Sequence, residues 1–315
     1  MKAIGLLSSG IDSALALKLV SDQGIEVMAV NYVLPFVSEK EDHARRVAEE
    51  IGLPLIKVEA GEDFIAMVRN PRHGYGSNMN PCIDCRIFML RGAKKIAREK
   101  GASFIITGDV LGERPMSQHA GALQREEREA GLEGMVLRPL SAKLLPETVP
   151  EREGWVDRNR LLNISGRSRK PQLALAREFG IEGFSPPAGG CLLTNKEFCQ
   201  RLKELFNYEE KVTIRDIALL RLGRHFYLPS SRIIVGRNEK ENNLLLELKN
   251  PDDYVFEVPD CGSPITILEG RKEKEAIELA ARLTARYSDA STIEVPVEYR
   301  YGDKAERIVV DTYHN

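Results

Sequence analysis

Residues 3–7 (AIGLL) form a short apolar run that ends in the small-residue segment SSGIDS. Residues 13–20 (SALALKLV) then read as a helix, and 26–33 (EVMAVNYV) as a second strand. Ala44, Val47, Ala48 and Ile51 recur at helical spacing. Leu55–Val58 reads as a third strand, Ile87–Lys100 as a helix, and Ser103–Thr107 (SFIIT) as a buried strand that stops at Gly108. Strands alternating with helices predict an α/β fold, a doubly wound and mostly parallel sheet covered on both faces. Ligands of such sheets sit at the carboxyl ends of the strands. Residues 70–83 (NPRHGYGSNMNPCI) break the rhythm with Pro, Gly and Asn and predict a long loop, a functional lid or a disordered connection. Residues 112–134, polar and bounded by glycines, predict a second, mobile excursion. From about Asn195 the rhythm fades. Residues 211–315 read as a separate, smaller α+β unit with strands in SRIIVG, YVFEV, PITIL, TIEVPVEY and RIVVDTY and one strong helix, Lys272–Arg286. The expected division is 1–200 and 201–315.

The length of 315 residues agrees with two domains. With 43% hydrophobic and 29% charged residues, the chain has a core to bury and is not a disordered tail or fibrous repeat. A net charge of −2 excludes a globally basic nucleic-acid coat, so an RNA partner has to be held by local patches. No apolar run approaches the ~18 residues of a membrane span. Met1 leads straight into a strand, so neither a signal peptide nor an N-terminal RNA-binding extension is expected. Five cysteines, an odd number, argue against a disulfide framework and for a cytoplasmic protein.

Ser8, Ser9, Gly10, Asp12 and Ser13 lie between a strand and a helix. Small residues let backbone N–H groups at a helix start approach a phosphate, Ser8 and Ser13 add hydroxyls, and Asp12 suits a Mg²⁺ ion. The same residues also suit an ordinary turn with a helix cap. The Gly-Lys-Ser/Thr ending of a Walker A loop is missing. The segment resembles the SGGxDS signature of the PP-loop, or N-type, ATP pyrophosphatases, with Ser9 in place of the second glycine. That resemblance implies ATP cleavage between the α and β phosphates and adenylation of a substrate oxygen.

Cys82 and Cys85 form a CxxC in NPCIDC, and Cys191 lies far off in AGGCLL. Cys199 sits in an amphipathic helix pattern, and Cys261 follows Pro-Asp. No second CxxC completes a four-ligand zinc site. Three cysteines fit an iron–sulfur cluster with one iron lacking a protein ligand, or a persulfide-forming thiol with a resolving partner such as Cys85 with Cys191. NPCxxC and Gly-Gly-Cys resemble the two cysteine sites of tRNA 2-thiouridylases. By that resemblance the trio implies a [4Fe-4S] cluster held by Cys82, Cys85 and Cys191, with cysteine persulfide as the alternative. Residues 107–112 (TGDVLG), followed by Ser117-Gln118, are similar to a stretch of the tRNA 4-thiouridine synthases, with Glu113 in place of a Gln. They put Gly108 and Asp109 at the expected nucleotide site, although turn chemistry alone accounts for Gly108 and Gly112.

Arg158, Arg160, Arg167, Arg169, Lys170 and Arg177 have no acid between them, and Arg86, Arg91, Lys94, Lys95, Arg98 and Lys100 have only Glu99. Such runs are ordinarily solvated faces. In a net-acidic chain, two of them beside the cysteine segments fit a phosphate backbone better. Arg167, Arg169 and Lys170 are the sharpest candidates. Residues 223–226 (GRHF) and 233–238 (IIVGRN), with Arg224 and Arg237, resemble the RNA-binding module of the NFACT proteins. Seven basic against two acidic residues give 211–240 a charge of +5. His225 reads as structural, and neither His73 nor His119 is marked as ligand or base. The leading reading is therefore ATP-dependent thiolation of a tRNA uridine, to 2-thiouridine or 4-thiouridine. Its partners are tRNA and a sulfur donor, either inorganic sulfide or a persulfide carrier. Catalysis is assigned to Cys82, Cys85, Cys191 and Asp12. The alternatives are a PP-loop enzyme acting on a small molecule, which leaves the cysteines idle, and a non-catalytic RNA-binding protein.

Overall fold

The structure is a computed structural model; it describes residues 1–37, 42–185 and 190–311. The chain forms two compact units, Met1–Lys196 and Glu197–Asn315. No helix among the described residues is long and apolar enough to cross a membrane.

The first unit runs β1 (Lys2–Leu6), α1 (Ile11–Ser21), β2 (Glu26–Val33), α2 (His43–Glu50), β3 (Leu55–Glu59), α3 (Glu62–Arg69), α4 (Cys82–Lys100), β4 (Phe104–Ile106), α5 (Ala120–Ala130), β5 (Val136–Leu137), α6 (Val149–Arg152) and α7 (Lys170–Phe179). The strands form an all-parallel sheet in the order β3-β2-β1-β4-β5. The chain leaves β1 in one direction for β2 and β3, then returns to add β4 and β5 on the other side. The switch point therefore falls between β1 and β4, where a ligand crevice is expected. Alternate side chains of β1 feed two cores. Ala3 packs with α1 and α7 on one face, and Ile4 packs with Leu90, Ala93 and Ala97 of α4 on the other. Gly5 is required here, because a Cβ would meet Leu17 of α1 at 2.5 Å.

This is the doubly wound parallel sheet the alternation predicts. One expectation needs correcting: the 112–134 excursion contains a regular helix, α5. Its polar sequence hides a buried stripe of Ala122, Leu123, Glu126 and Ala130, at helical spacing, directed at α4. Glu126 in that stripe disguises the apolar face.

The second unit runs α8 (Lys196–Tyr208), α9 (Ile214–Leu220), β6 (Arg224–Leu228), β7 (Ser231–Val235), α10 (Glu239–Leu248), β8 (Tyr254–Glu257), β9 (Thr266–Gly270), α11 (Lys274–Arg286), β10 (Glu294–Tyr301) and β11 (Lys304–Asp311). Its six strands form an antiparallel sheet in the order β11-β10-β8-β9-β7-β6. Ala276, Ala280 and Ala281 of α11 lie on Val295, Val297 and Phe256 of one face. Leu219 and Leu245, from α9 and α10, join Ile234 and Ile267 on the other.

Candidate functional site

The β1–α1 turn is held open by its own hydroxyls. Ser8 Oγ and Ser13 Oγ lie 3.0 Å apart, Ser8 N donates to Ser13 Oγ, and Gly10 N donates to Ser8 Oγ. Gly10 precedes α1 in an extended conformation and no side chain caps the helix, so the first-turn N–H groups stay available to an anion. Ser9, the departure from a glycine pair, is held from across the unit: Ser185 N donates to Ser9 O at 2.7 Å and Ser185 Oγ to Ser9 Oγ at 3.1 Å. Gly108 closes the wall, since a Cβ there would meet Ser13 N at 2.4 Å. Nothing but glycine lets the loop after β4 lie against the start of α1.

Asp12 stands at the mouth of this turn. Its Oδ1 is buried without a hydrogen bond. Burial raises its pKa, against Arg169, Gln172 and Arg114, which face it. Glu113 joins the same group, raised first by burial and then by Asp12. Asp12, Glu113, Arg114 and Arg169 thus act on one another electrostatically beside the β1–α1 turn. Arg169, expected on RNA, faces inward to Asp12, and Arg167 and Lys170 on either side are exposed.

The cysteines lie beside this group. Pro81 starts α4, which puts Cys82 and Cys85 one turn apart on one face. Cys191 arrives on a segment pinned at several points. Leu192 N donates to Phe36 O, Met79 N to Leu193 O, and Asn78 Nδ2 to Thr194 O. Ala188 and Gly189 of the Gly-Gly-Cys segment lie outside the described residues. Burial pushes the Cys85 thiol up to about 12, with Cys191 and then Cys82 adding to the effect and Arg86 opposing it. Burial raises Cys82 as well, against Arg114 and Arg86. Three thiols therefore share one neighbourhood, and Arg114 connects it to Asp12. Asp84, inside the CxxC, turns away. It accepts from Arg72 N, His73 N and His73 Nδ1, while His73 Nε2 meets Glu129 Oε1 at 2.8 Å. His73 is thereby a clamp between the 70–81 loop, α4 and α5. Among the described residues, no three His, Cys, Asp or Glu side chains are gathered tightly enough to ligate a single metal ion.

Next to Cys85 along α4, Arg86 opens a largely buried charge chain. Arg86 reaches Asp109 on one side and Glu126, at 2.9 Å, on the other; Arg138 bridges Asp109 and Glu127. Asp109, expected to bind nucleotide, is 2% exposed and takes Thr107 Oγ1 and Gln118 Nε2 besides the arginines. Its contact with Arg86 holds that guanidinium in place. Arg86, its side chain 21% exposed, is correspondingly held between two acids rather than standing free in an RNA-facing run. Glu126 keeps a buried, unpartnered Oε1, and burial lifts its carboxyl to about 7. The sequence clue to this chain is a charged residue at an inward helical position, at Arg86 and again at Glu126. Its partners lie too far along the chain to be seen.

Elsewhere, Arg158 pairs with Glu151, and Arg160 donates to Asp22 O. Cys199 is buried in α8 and Cys261 is exposed. His119 caps α5. In the second unit, Arg232 is buried between Asp216 and Glu269, and Arg215 pairs with Asp253 and Glu269, so part of the +5 excess is internal. Arg237 forks onto Glu241, and Arg224 lies 4.2 Å over the Tyr287 ring. His225 is neutral and structural. Burial drives it down to about 4, and Nε2 meets Leu222 O at 2.9 Å.

Residues 1–143 match the family model of the thiamine biosynthesis protein (ThiI), and residues 223–315 match that of the NFACT protein RNA binding domain. A probable tRNA sulfurtransferase of Thermococcus kodakarensis is 29% identical over 122 residues, 36% of this chain and 30% of that protein. The tRNA-specific 2-thiouridylase MnmA 2 of Clostridium botulinum is 29% identical over 114 residues, 32% of each. The chain thus spans about a third of the length of these curated relatives. A crystal structure of a 4-thiouridine synthetase–RNA complex with bound ATP aligns at a TM-score of 0.45 and 23% identity, covering 70% of this chain and 52% of that one.

Proposed function

We propose that this chain is an ATP-dependent tRNA sulfurtransferase that activates a uridine carbonyl oxygen as an adenylate and replaces it with sulfur, giving 2- or 4-thiouridine. The observation that carries this reading is the loop after β4: Gly108 lies against Ser13 of the phosphate turn, and the next residue, Asp109, pairs with Arg86, beside Cys85 on α4. Adenylation and sulfur transfer require that proximity, because sulfur must meet the same carbon whose oxygen was activated.

ATP phosphates lie against the free amides at the start of α1, with Arg169 and Arg114 facing the developing charge. Asp12, with its unpartnered oxygen, fits a Mg²⁺ ion on the pyrophosphate. The uridine oxygen attacks the α-phosphorus, and the α–β bridging bond breaks with pyrophosphate leaving. Sulfur then adds to the base carbon and AMP departs with the original oxygen. The uridine has to be unstacked to enter, as single-stranded RNA allows.

Three thiols that act on one another, with Asp84 turned away, fit a [4Fe-4S] cluster held by Cys82, Cys85 and Cys191. When bound, such a cluster supplies an iron without a protein ligand, open to sulfide. Arg86 and Arg114 stabilise the thiolates, which burial alone disfavours. The closeness of Cys85 to Cys191 also supports the persulfide route. There the thiolate of one attacks the inner sulfur of the other's persulfide, a disulfide forms, and the outer sulfur leaves for the base. The second unit holds the tRNA.

The test is tRNA-dependent pyrophosphate release together with mass spectrometry of the tRNA nucleosides, using anaerobic full-length protein, ATP and sulfide. Thiouridine should form in the wild type and be lost in a folded Asp12→Ala variant. Pyrophosphate release indifferent to tRNA, with no thiouridine, sinks the proposal in favour of a small-molecule substrate.

A further inference from the structure

The sheet of the second unit extends beyond the helix that covers it. Helix α11 packs over Val295 and Val297, but farther along the same face the alternation of β10 brings up Tyr299 and Tyr301. Tyr299 lies across from Phe256 of β8, two residues on from Tyr254. The rings of Tyr254 and Tyr301 are 4.3 Å apart and within 12° of parallel; Tyr254 and Tyr299 are 5.8 Å apart at 17°. Tyr299 and Tyr301 both donate their hydroxyls to Glu306 of the neighbouring strand, which fixes the orientation of those two rings. Lys272 Nζ stands 5.5 Å over the Tyr254 ring and Lys304 Nζ 5.9 Å over that of Tyr301. Tyr254 and Tyr301 border an open cleft of about 530 Å³, whose rim carries Asp252, Asp303 and Lys304.

The Tyr254 and Tyr301 rings stack on each other with Lys272 and Lys304 over their outer faces, so an unpaired nucleobase stacks on this aromatic ledge by displacing one flexible lysine side chain from an outer face. The two aspartates add acceptors for the amino and imino hydrogens of a base edge, which a phosphate cannot use. We propose that the Tyr254–Tyr301 ledge receives an unpaired base of the bound RNA. The inference rests on the RNA-binding reading of this unit and names the place and manner of contact. Because Lys272 and Lys304 are offset by Asp252 and Asp303, the contact is stacking rather than charge. It therefore adds affinity with little salt dependence, unlike phosphate neutralisation.

The experiment measures binding of a fluorescent, short, mixed-sequence single-stranded RNA to the full chain across a salt series. Tyr254→Ala and Tyr301→Ala should each weaken binding about five- to 150-fold, the loss of one stacked base, with the salt slope unchanged. Tyr301→Phe, which keeps the ring, should bind like the wild type. Unchanged affinity in folded alanine variants overturns the ledge. So does a change confined to the salt slope, or a change of oligomeric state with RNA affinity intact, which would mark the face as a contact between copies. If the alanine variants fail to fold, ultraviolet crosslinking of the wild type decides. Adducts on peptides containing Tyr254 or Tyr301 support the ledge, and adducts confined to other peptides overturn it. Wild-type protein that thiolates tRNA yet ignores the oligonucleotide overturns the ledge and leaves the catalytic reading standing. Oligonucleotide binding that depends on Tyr301, in protein that thiolates nothing, does the reverse.

Discussion

Gly108→Ala is the sharpest perturbation of the nucleotide site, because it changes no charge and removes no hydrogen bond. The added Cβ would lie 2.4 Å from Ser13 N, 2.5 Å from Ser13 Cα and 2.6 Å from Asp12 C. All three atoms are backbone in the first turn of α1, so no side chain can rotate away. Ordinary contact begins at 3.4 Å, and the loop after β4 and the phosphate turn must part by about 1 Å. Overpacking of this kind costs roughly 1–3 kcal/mol. For a unit of this size that lowers Tm by about 2–4 °C per kcal/mol. The functional effect is larger. A displacement of about 1 Å between bound reactants costs on the order of 100-fold in rate. Gly101→Ala is the matched control. It caps α4 at φ +67 with nothing within 4 Å of its Cβ, so it costs about 1–2 kcal/mol of backbone strain and leaves turnover alone. Scanning calorimetry and ATP–pyrophosphate release on both variants make the comparison. Wild-type turnover in Gly108→Ala at unchanged Tm would refute the reasoning, for it would mean that the two loops are not in the contact described.

Three further outcomes are expected. Arg169→Ala should weaken ATP and leave the salt slope of tRNA binding intact, whereas Arg167→Ala and Lys170→Ala should each reduce that slope by about 1 and leave ATP affinity alone, as titrations with each ligand would read. Glu126 has its folded pKa raised from 4.5 to about 7. Its contribution to stability is therefore fullest below about pH 4.5 and is lost as pH rises through about 7, so Glu126→Gln should flatten the fall of Tm across that window. Cys85→Ser should abolish thiouridine at undiminished tRNA affinity, Cys199→Ser should lower Tm without touching thiouridine, and Cys261→Ser should do neither, by nucleoside mass spectrometry and melting.

What could be read from the chain follows the physics that leaves a local trace. β1, β2 and β4 were legible because their buried residues write apolar runs, β3, which has no fully buried residue, because Pro54 sets off its short apolar segment, and the β1–α1 turn because it gathers small residues at one place. β5 was not, being two residues long. α5 was missed because Glu126 occupies an inward position that an apolar residue would ordinarily hold. The strands of the second unit stood out by their β-branched runs, except β6, where Arg224, His225 and Tyr227 mask the alternation.

The charges of the site were the least legible part, and for one reason. A basic run announces net charge but not direction. Arg167, Arg169 and Lys170 are neighbours in sequence, yet the middle one faces Asp12 and the outer two face solvent. Arg86 heads a basic helix and is nonetheless enclosed by Asp109 and Glu126, 23 and 40 residues away. Helical geometry decides this: Arg86 follows Cys85 on α4, so the turn that aims the thiols at the crevice aims the guanidinium toward α5 and the loop after β4. A buried arginine there is costly unless it is paired, which fixes the need for acids on both of those elements. Asp109 and Glu126 meet that need. Their partner is set by the position of Cys85, and that ties the two carboxylates to the turn of α4 that carries the thiols.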